Sequence, residues 1–171
     1  FKVEYPDGSI AYYGNSTDSR SKGEWRITYW ENAQKVRISY TYILANNNLS
    51  IEYIKYGNTS TLTPINQIKF VYKARQRPEQ SYIAGESFLT DTLLSEIQVT
   101  GNSVGFRNYV LAQEATALGY EFLKTVTEKS GDNTKSYNPT VFSYDNTTPT
   151  VVNNAPYNLN PDLNNDIIVY N

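Results

Sequence analysis

Histidine, cysteine and methionine are all absent from this 171-residue sequence. Without imidazole there is no Ser-His-Asp or Cys-His nucleophile system, no histidine general base, and no His-ligated zinc, iron or copper. Without a thiol there is no disulfide framework, iron–sulfur cluster or redox switch, and cysteine usage says nothing about the compartment. An excess of charge of one sign is missing too: 15 Lys and Arg against 17 Asp and Glu leave a net charge of -2. That balance draws neither phosphate backbones nor anionic lipid, so nucleic-acid binding and membrane insertion are not expected. No stretch approaches the roughly 20 apolar residues of a membrane helix, and no basic segment followed by an apolar run marks a signal peptide. The chain starts at Phe1, already within a strand-like pattern and without an initiating methionine, which reads as an excerpt from a longer polypeptide. What chemistry remains is that of carboxylates, lysine, tyrosine or an oxygen-ligated metal.

Aromatics are what the sequence has in abundance: 16 tyrosines, six phenylalanines and two tryptophans, interleaved with Val, Ile and Thr. These are strand-forming residues, and they recur in short alternating runs. Phe1 to Tyr5 alternates, Pro6-Asp7-Gly8 supplies turn chemistry, and Ile10 to Tyr13 resumes, which predicts a hairpin. A polar loop over 14–23 precedes the run Glu24 to Trp30. Val36, Ile38, Tyr40 and Tyr42 share one parity, the two-residue period of a strand with one buried face. After the turn at 45–48, Leu49, Ile51 and Tyr53 begin the return strand, but Ile54 and Tyr56 fall on the other parity, so a bulge or two-sided burial is required. Ile68, Phe70 and Tyr72 form a further strand that ends in the basic cluster Lys73, Arg75, Arg77. Residues 88–97 and 107–126 carry apolar side chains at both helical and strand spacing, and pattern alone leaves them open. Pro139 to Tyr144 reads as a closing strand. Without a long helical crossover, the arrangement is all-β: consecutive antiparallel strands and hairpins, in a shell-like or sandwich-like sheet with little helix.

Few residues stand out for chemistry. Asp162-Leu163-Asn164-Asn165-Asp166 has the alternation by which Asp162, Asn164 and Asp166 would converge on Ca²⁺, but Ile167 stands where the loop's glycine belongs and no bidentate Glu follows. No metal or other cofactor is therefore assigned, with Ca²⁺ the one candidate. Glu24, Glu31, Glu52, Glu79, Glu86, Glu96 and Glu114 are raw material for a pair of glycosidase carboxylates, yet none has a distinguishing neighbourhood. Exposed Tyr and Trp, Trp25 and Trp30 foremost, could stack on sugar rings, whereas their alternation with Val and Ile is that of cross-strand packing. Lys69, Lys73, Arg75 and Arg77 could grip an anionic partner or simply be solvated. Asn15, Asn48, Asn58 and Asn146 head Asn-x-Ser/Thr triplets, acceptors only in a glycosylating pathway.

Several strings in order resemble a known family. Phe1-Lys2-Val3, Pro6-Asp7-Gly8-Ser9, Tyr13-Gly14, Asp18-Ser19-Arg20, Trp25-Arg26-Ile27 and Val36 to Tyr42 are similar to the N-terminal region of SpvB/TcB-like proteins. These are the B components of bacterial toxin complexes and their Rhs (YD-repeat) relatives. The likeness continues through Ile54-Lys55-Tyr56-Gly57, Ile68 to Tyr72, Leu94 to Ile97, Arg107 to Leu111, Leu123 to Val126 and Pro139 to Tyr144. The tail from Asp162 to Tyr170 looks like the opening of an FG-GAP/VCBS-type propeller repeat. The resemblance implies strands in both ambiguous segments, and a division into a shell-type segment 1–144, an Asn/Pro/Thr-rich linker 145–163 and the start of a following β element at 164–171. It further implies a non-enzymatic piece of a large secreted or surface-associated protein. In that family a β shell encloses a C-terminal effector domain, so the expected partners are the rest of the same polypeptide and an enclosed effector. The family's autoproteolytic and effector chemistry lies in regions with no counterpart here, so no catalytic residue is carried over. The alternative is an extracellular β-rich module that contacts glycans or a partner protein through exposed Tyr and Trp.

Overall fold

The computed structural model describes residues 1–144. Ten strands follow one another as β1 (Lys2–Glu4), β2 (Ile10–Tyr13), β3 (Ile27–Glu31), β4 (Arg37–Ala45), β5 (Asn48–Asn58), β6 (Asn66–Ile83), β7 (Glu86–Gly101), β8 (Val104–Ala115), β9 (Glu121–Ser130) and β10 (Thr140–Val141), with a single 3-10 turn at Thr17–Ser19. Their order in space is their order in sequence, and every neighbouring pair is antiparallel. The all-β expectation holds, as does the strand reading of both ambiguous segments. Residues 88–97 lie within β7, and 107–126 form β8 and β9 around a turn at Gly119, whose φ of +79° suits glycine.

Turn chemistry explains the meander. Three hairpins have two-residue loops with both φ angles positive: Asn46-Asn47, Ala84-Gly85 and Asn102-Ser103. That backbone matches the right-handed twist of the strands it joins. Only the first of these turns stands out in the sequence, because alanine and serine rarely adopt a left-handed backbone.

Bulges set the register. Thr41 faces Tyr53 and Tyr42 faces Ile51, leaving Glu52 as the extra residue of β5. Of the two arrangements that the parity break allows, a bulge or two-sided burial, the chain takes the bulge. It returns Ile54 and Tyr56 to the face occupied by Ile51 and Leu49, opposite Tyr40 and Ile38. Strand β6, by contrast, does not stop at the basic cluster but runs on to Ile83. Between Ala74 and Glu79 its ladder with β7 is interrupted, and Pro78 sits in that interruption, where no ladder hydrogen bond is lost. The closing strand shortens to Thr140–Val141.

Directly opposed residues share a face, so the ladders separate the sheet into two unlike surfaces. One row reads Tyr40, Ile54, Ile68, Val99 from β4 to β7, and the next Phe70, Ile97, Tyr109 from β6 to β8. On the opposite face the rows read Ser39, Lys55, Gln67, Thr100 and Tyr53, Lys69, Gln98, Asn108, Lys129. Most side chains of the apolar face are only half-buried.

The few buried hydrophobic side chains include Tyr42, Leu49 and Phe88, which lie where two overhangs meet. Strand β5 pairs with β6 only from Tyr53 to Tyr56, so the tip of the β4–β5 hairpin projects beyond the ladder. It rests on β7, with Leu89 N–H donating to Asn46 O at 3.2 Å, Asn47 Nδ2 to Ser87 O at 2.8 Å and Asn46 Nδ2 to Asp91 Oδ2 at 3.0 Å.

Candidate functional site

The broadest candidate surface is the apolar face itself, and tyrosines fasten its margins. Tyr42 donates its hydroxyl to Ile27 O and Tyr72 to Ile51 O, both at 2.7 Å, so each ring can be covered without stranding a polar atom. Burial pushes the Tyr42 phenol up to about 12 and the Tyr72 phenol upward as well. A phenol whose folded pKa lies above its unfolded value binds the proton more tightly when folded. Its contribution to stability is complete below about pH 10 and is lost as pH climbs through about 12. We expect thermal midpoints to fall across that window, and Tyr42→Phe to flatten the fall while costing about 1 kcal/mol at neutral pH through the lost bond to Ile27 O. An alkaline limb identical in both proteins would contradict this.

The polar face carries a ladder of charge and aromatic rings at its first strands. Arg37 places Nη2 at 2.8 Å and Nε at 3.1 Å from Glu31 Oε2, and its guanidinium lies 3.8 Å from the centroid of Tyr29, which stacks on Tyr12 at 4.8 Å. Lys35 approaches the other carboxylate oxygen at 3.4 Å. The Arg37 hydrogen bond, opposed by burial and aided by Lys35, holds the Glu31 carboxyl below the usual carboxylate range.

The residues singled out from sequence fall as follows. Of the seven glutamates, five are each held by a cation: Glu24 by Arg26, Glu31 by Arg37, Glu79 by Arg75, Glu86 by Lys22 and Glu114 by Lys124. Glu52 is the bulge residue, and Glu96 stands between Val71 and Val110. The basic cluster is spent internally at the β6 interruption. Lys73 Nζ and Gln76 N–H both reach Glu121, at 3.0 and 2.8 Å, and Arg77 donates to Leu118 O and lies over Tyr120 at 4.2 Å. Lys69 and Lys55 both flank the Tyr53 ring. Trp25 is half-exposed, packed against Gly14 and edge-on to Phe1 at 5.6 Å, while Trp30 is opposed by Ala11 and Ile38. Asn15 is exposed, Asn48 half-buried, and Asn58 buried with its amide donating to Thr59 O and Leu62 O. Asp162, Asn164, Asp166, Asn146, the 145–163 linker and the 164–171 element lie outside the described residues.

Sequence reasoning missed a second feature at the ends of β8 and β9, a cavity of about 420 Å³ lined by Phe106, Arg107, Glu128, Lys129, Lys135 and Tyr137 among others. Its residues come from three separate segments, and no spacing in the chain announces their meeting.

Ten consecutive antiparallel strands in one sheet, with one apolar face, have counterparts among solved structures. The structure of the N-terminal domain of effector protein SpvB from Salmonella typhimurium strain LT2 superposes with a TM-score of 0.67 at 12% identity, over 75% of this chain and 60% of that one. The chain has the SpvB/TcB-like fold. The crystal structure of TcdB2-TccC3 gives 0.69 at 14% identity, and the Photorhabdus luminescens Tc holotoxin pore 0.68 at 13%, each over 84% of this chain. The chain spans 60% of the SpvB chain and 10% of each of the other two. No family model and no curated protein matches the sequence. Among the described residues no helix is long and apolar enough to cross a membrane.

Proposed function

We infer that the chain is a non-enzymatic wall segment of a larger, secreted or surface-associated toxin-complex or Rhs-like polypeptide, with its apolar face turned toward an enclosed effector domain. The observation that carries this reading is the two-faced single sheet. A sheet with one apolar face is stable when a second layer covers that face, and no element among the described residues does so. The likeness to TcdB2-TccC3 and to the Tc holotoxin pore supports the choice of a large shell over a free-standing module. Its work is containment: strand pairing closes the wall, and apolar burial holds the contents.

The isolated 171-residue chain is expected to self-associate as its concentration rises, through the uncovered face and the edges at β1 and β10. Light scattering coupled to size exclusion checks this. A monodisperse monomer over a wide concentration range would count against an uncovered wall and in favour of a self-contained domain.

A further inference from the structure

Three irregularities lie at one level of the sheet. Ser95 is the extra residue of β7 where Val71 faces Glu96 and Tyr72 faces Leu94, Lys124 is that of β9 where Ala112 faces Thr125 and Gln113 faces Leu123, and β6 loses its ladder between Ala74 and Glu79. Bulges bend the strands that carry them. Here β7 and β8 part: their ladder ends at Glu96 and Val110, although β7 starts at Glu86 and β8 runs on to Ala115. Beyond that level the outer half of the β8–β9 hairpin, residues 111–125, keeps its own ladder. Residues 140–142 pair along its far edge and travel with it.

Side chains make the hydrogen bonds across the parting. Gln113 Nε2 donates to Leu94 O at 2.7 Å, Arg77 donates to Leu118 O at 3.3 Å and stands over the exposed Tyr120 ring, and Glu121 accepts from Gln76 N–H at 2.8 Å and Lys73 Nζ at 3.0 Å. Of these groups on the hairpin, Glu121 alone is both charged and buried, with its side chain 4% exposed. From β6 it is faced by Lys73, Arg75 and Arg77, of which Arg75 is paired with Glu79, while on its own hairpin Glu114 and Lys124 pair with each other at 2.9 Å. The Gln76 and Lys73 hydrogen bonds, opposed by burial and aided by the charge of Lys73 and Arg75, hold the Glu121 carboxyl below the usual carboxylate range. What it contributes is therefore complete above about pH 4 and is lost as pH falls through the lower folded value.

We propose that the outer half of the β8–β9 hairpin is a hinged flap, fastened to the β6 interruption through the Glu121 carboxylate and released as a unit when that carboxylate loses its charge. Release uncovers the facing edges of β7 and β8, which are free to take a partner strand. The hinge belongs to the sheet whether or not the sheet walls a shell. Double electron–electron resonance between nitroxide labels tests it on the 171-residue chain, which has no native cysteine. Ala117→Cys with Tyr82→Cys spans the parting, and Ala112→Cys with Ala117→Cys lies within the flap; all three sites are exposed. At neutral pH the spanning pair should give one short distance. In Glu121→Gln at neutral pH, and in the parent at about pH 3, a longer and broader population should appear, with the ratio of released to fastened flap raised at least about tenfold. The inner pair should not change. Glu114→Gln, which breaks only the exposed ion pair on the flap, should leave both distributions as in the parent. An unchanged spanning distance in Glu121→Gln or in the parent at low pH, equal broadening of the inner pair, or loss of the parent circular dichroism in Glu121→Gln would overturn the proposal, the last because the carboxylate would then hold the whole sheet.

Discussion

Phe88→Ala is expected to lower stability by about 3 kcal/mol, a drop of roughly 6–12 °C in the thermal midpoint for a chain of this size. Phe88 is 6% exposed, and its ring tip would lie 2.8 Å from a Cβ on Gly23, so only glycine lets the 14–23 loop settle on it. The ring pins the distal half of the longest hairpin, β6–β7, to a loop more than 60 positions earlier in the chain. Other links across this contact are polar and weaker. Lys22 and Glu86 pair at 2.6 Å with both side chains well exposed, and Lys22→Ala should cost under about 0.5 kcal/mol. Paired urea titrations decide the matter: equal midpoints for Phe88→Ala and Lys22→Ala would show that the overhang is held by its polar links and not by apolar burial.

Gly131→Ala should be comparably damaging for a different reason. Its Cβ would fall 2.1 Å from Gly105 C and O and 2.6 Å from Phe106 N, all of them backbone atoms that no rotamer change can move. Relief requires the ends of β8 and β9 to part, which breaks the Arg107–Ser130 register and the bond from Asn108 Nδ2 to Gly131 O. A cost of about 2–4 kcal/mol is in the range of such forced overlaps, limited by local fraying. Hydrogen exchange should accelerate at residues 104–108 and 130–137 and stay unchanged in β4 and β5. Uniform acceleration over the whole sheet would show that this strand end is not a separable unit.

Much of the fold was legible because period-two alternation survives wherever a face is apolar. The parity change between Tyr53 and Ile54 called for a bulge or two-sided burial, and Glu52 supplies the bulge. The 107–126 segment was ambiguous for a physical reason: Leu111, Ala115, Leu118 and Phe122 satisfy helical spacing, yet Gly119 and the Thr116–Tyr120 turn divide them into two strands. The length of β6 was hidden because its continuation, Arg75 to Ile83, is mostly polar and exposed, and a strand held by backbone pairing and by Glu121 leaves no apolar signature. Phe88 as an anchor was not legible either, since its partner is a glycine, and a missing side chain gives no pattern. The cavity at the ends of β8 and β9 is assembled from a bulge, a close glycine pair and a returning segment, none of which has a period.

The wall reading makes the two faces unequal in the intact polypeptide, and the absence of cysteine gives a clean background in this region for testing it. Single cysteines at Ile54 and Ile68 report the apolar face, and at Lys55 and Lys69 the polar face. The most direct measurement is labelling of these four variants with a bulky maleimide, in the isolated chain and in the full-length polypeptide. If the sheet is a shell wall, all four label in the isolated chain at concentrations low enough to keep it monomeric, and in the full-length polypeptide only Lys55→Cys and Lys69→Cys do. Undiminished labelling of Ile54→Cys and Ile68→Cys in the full-length polypeptide would mean that the apolar face encloses nothing.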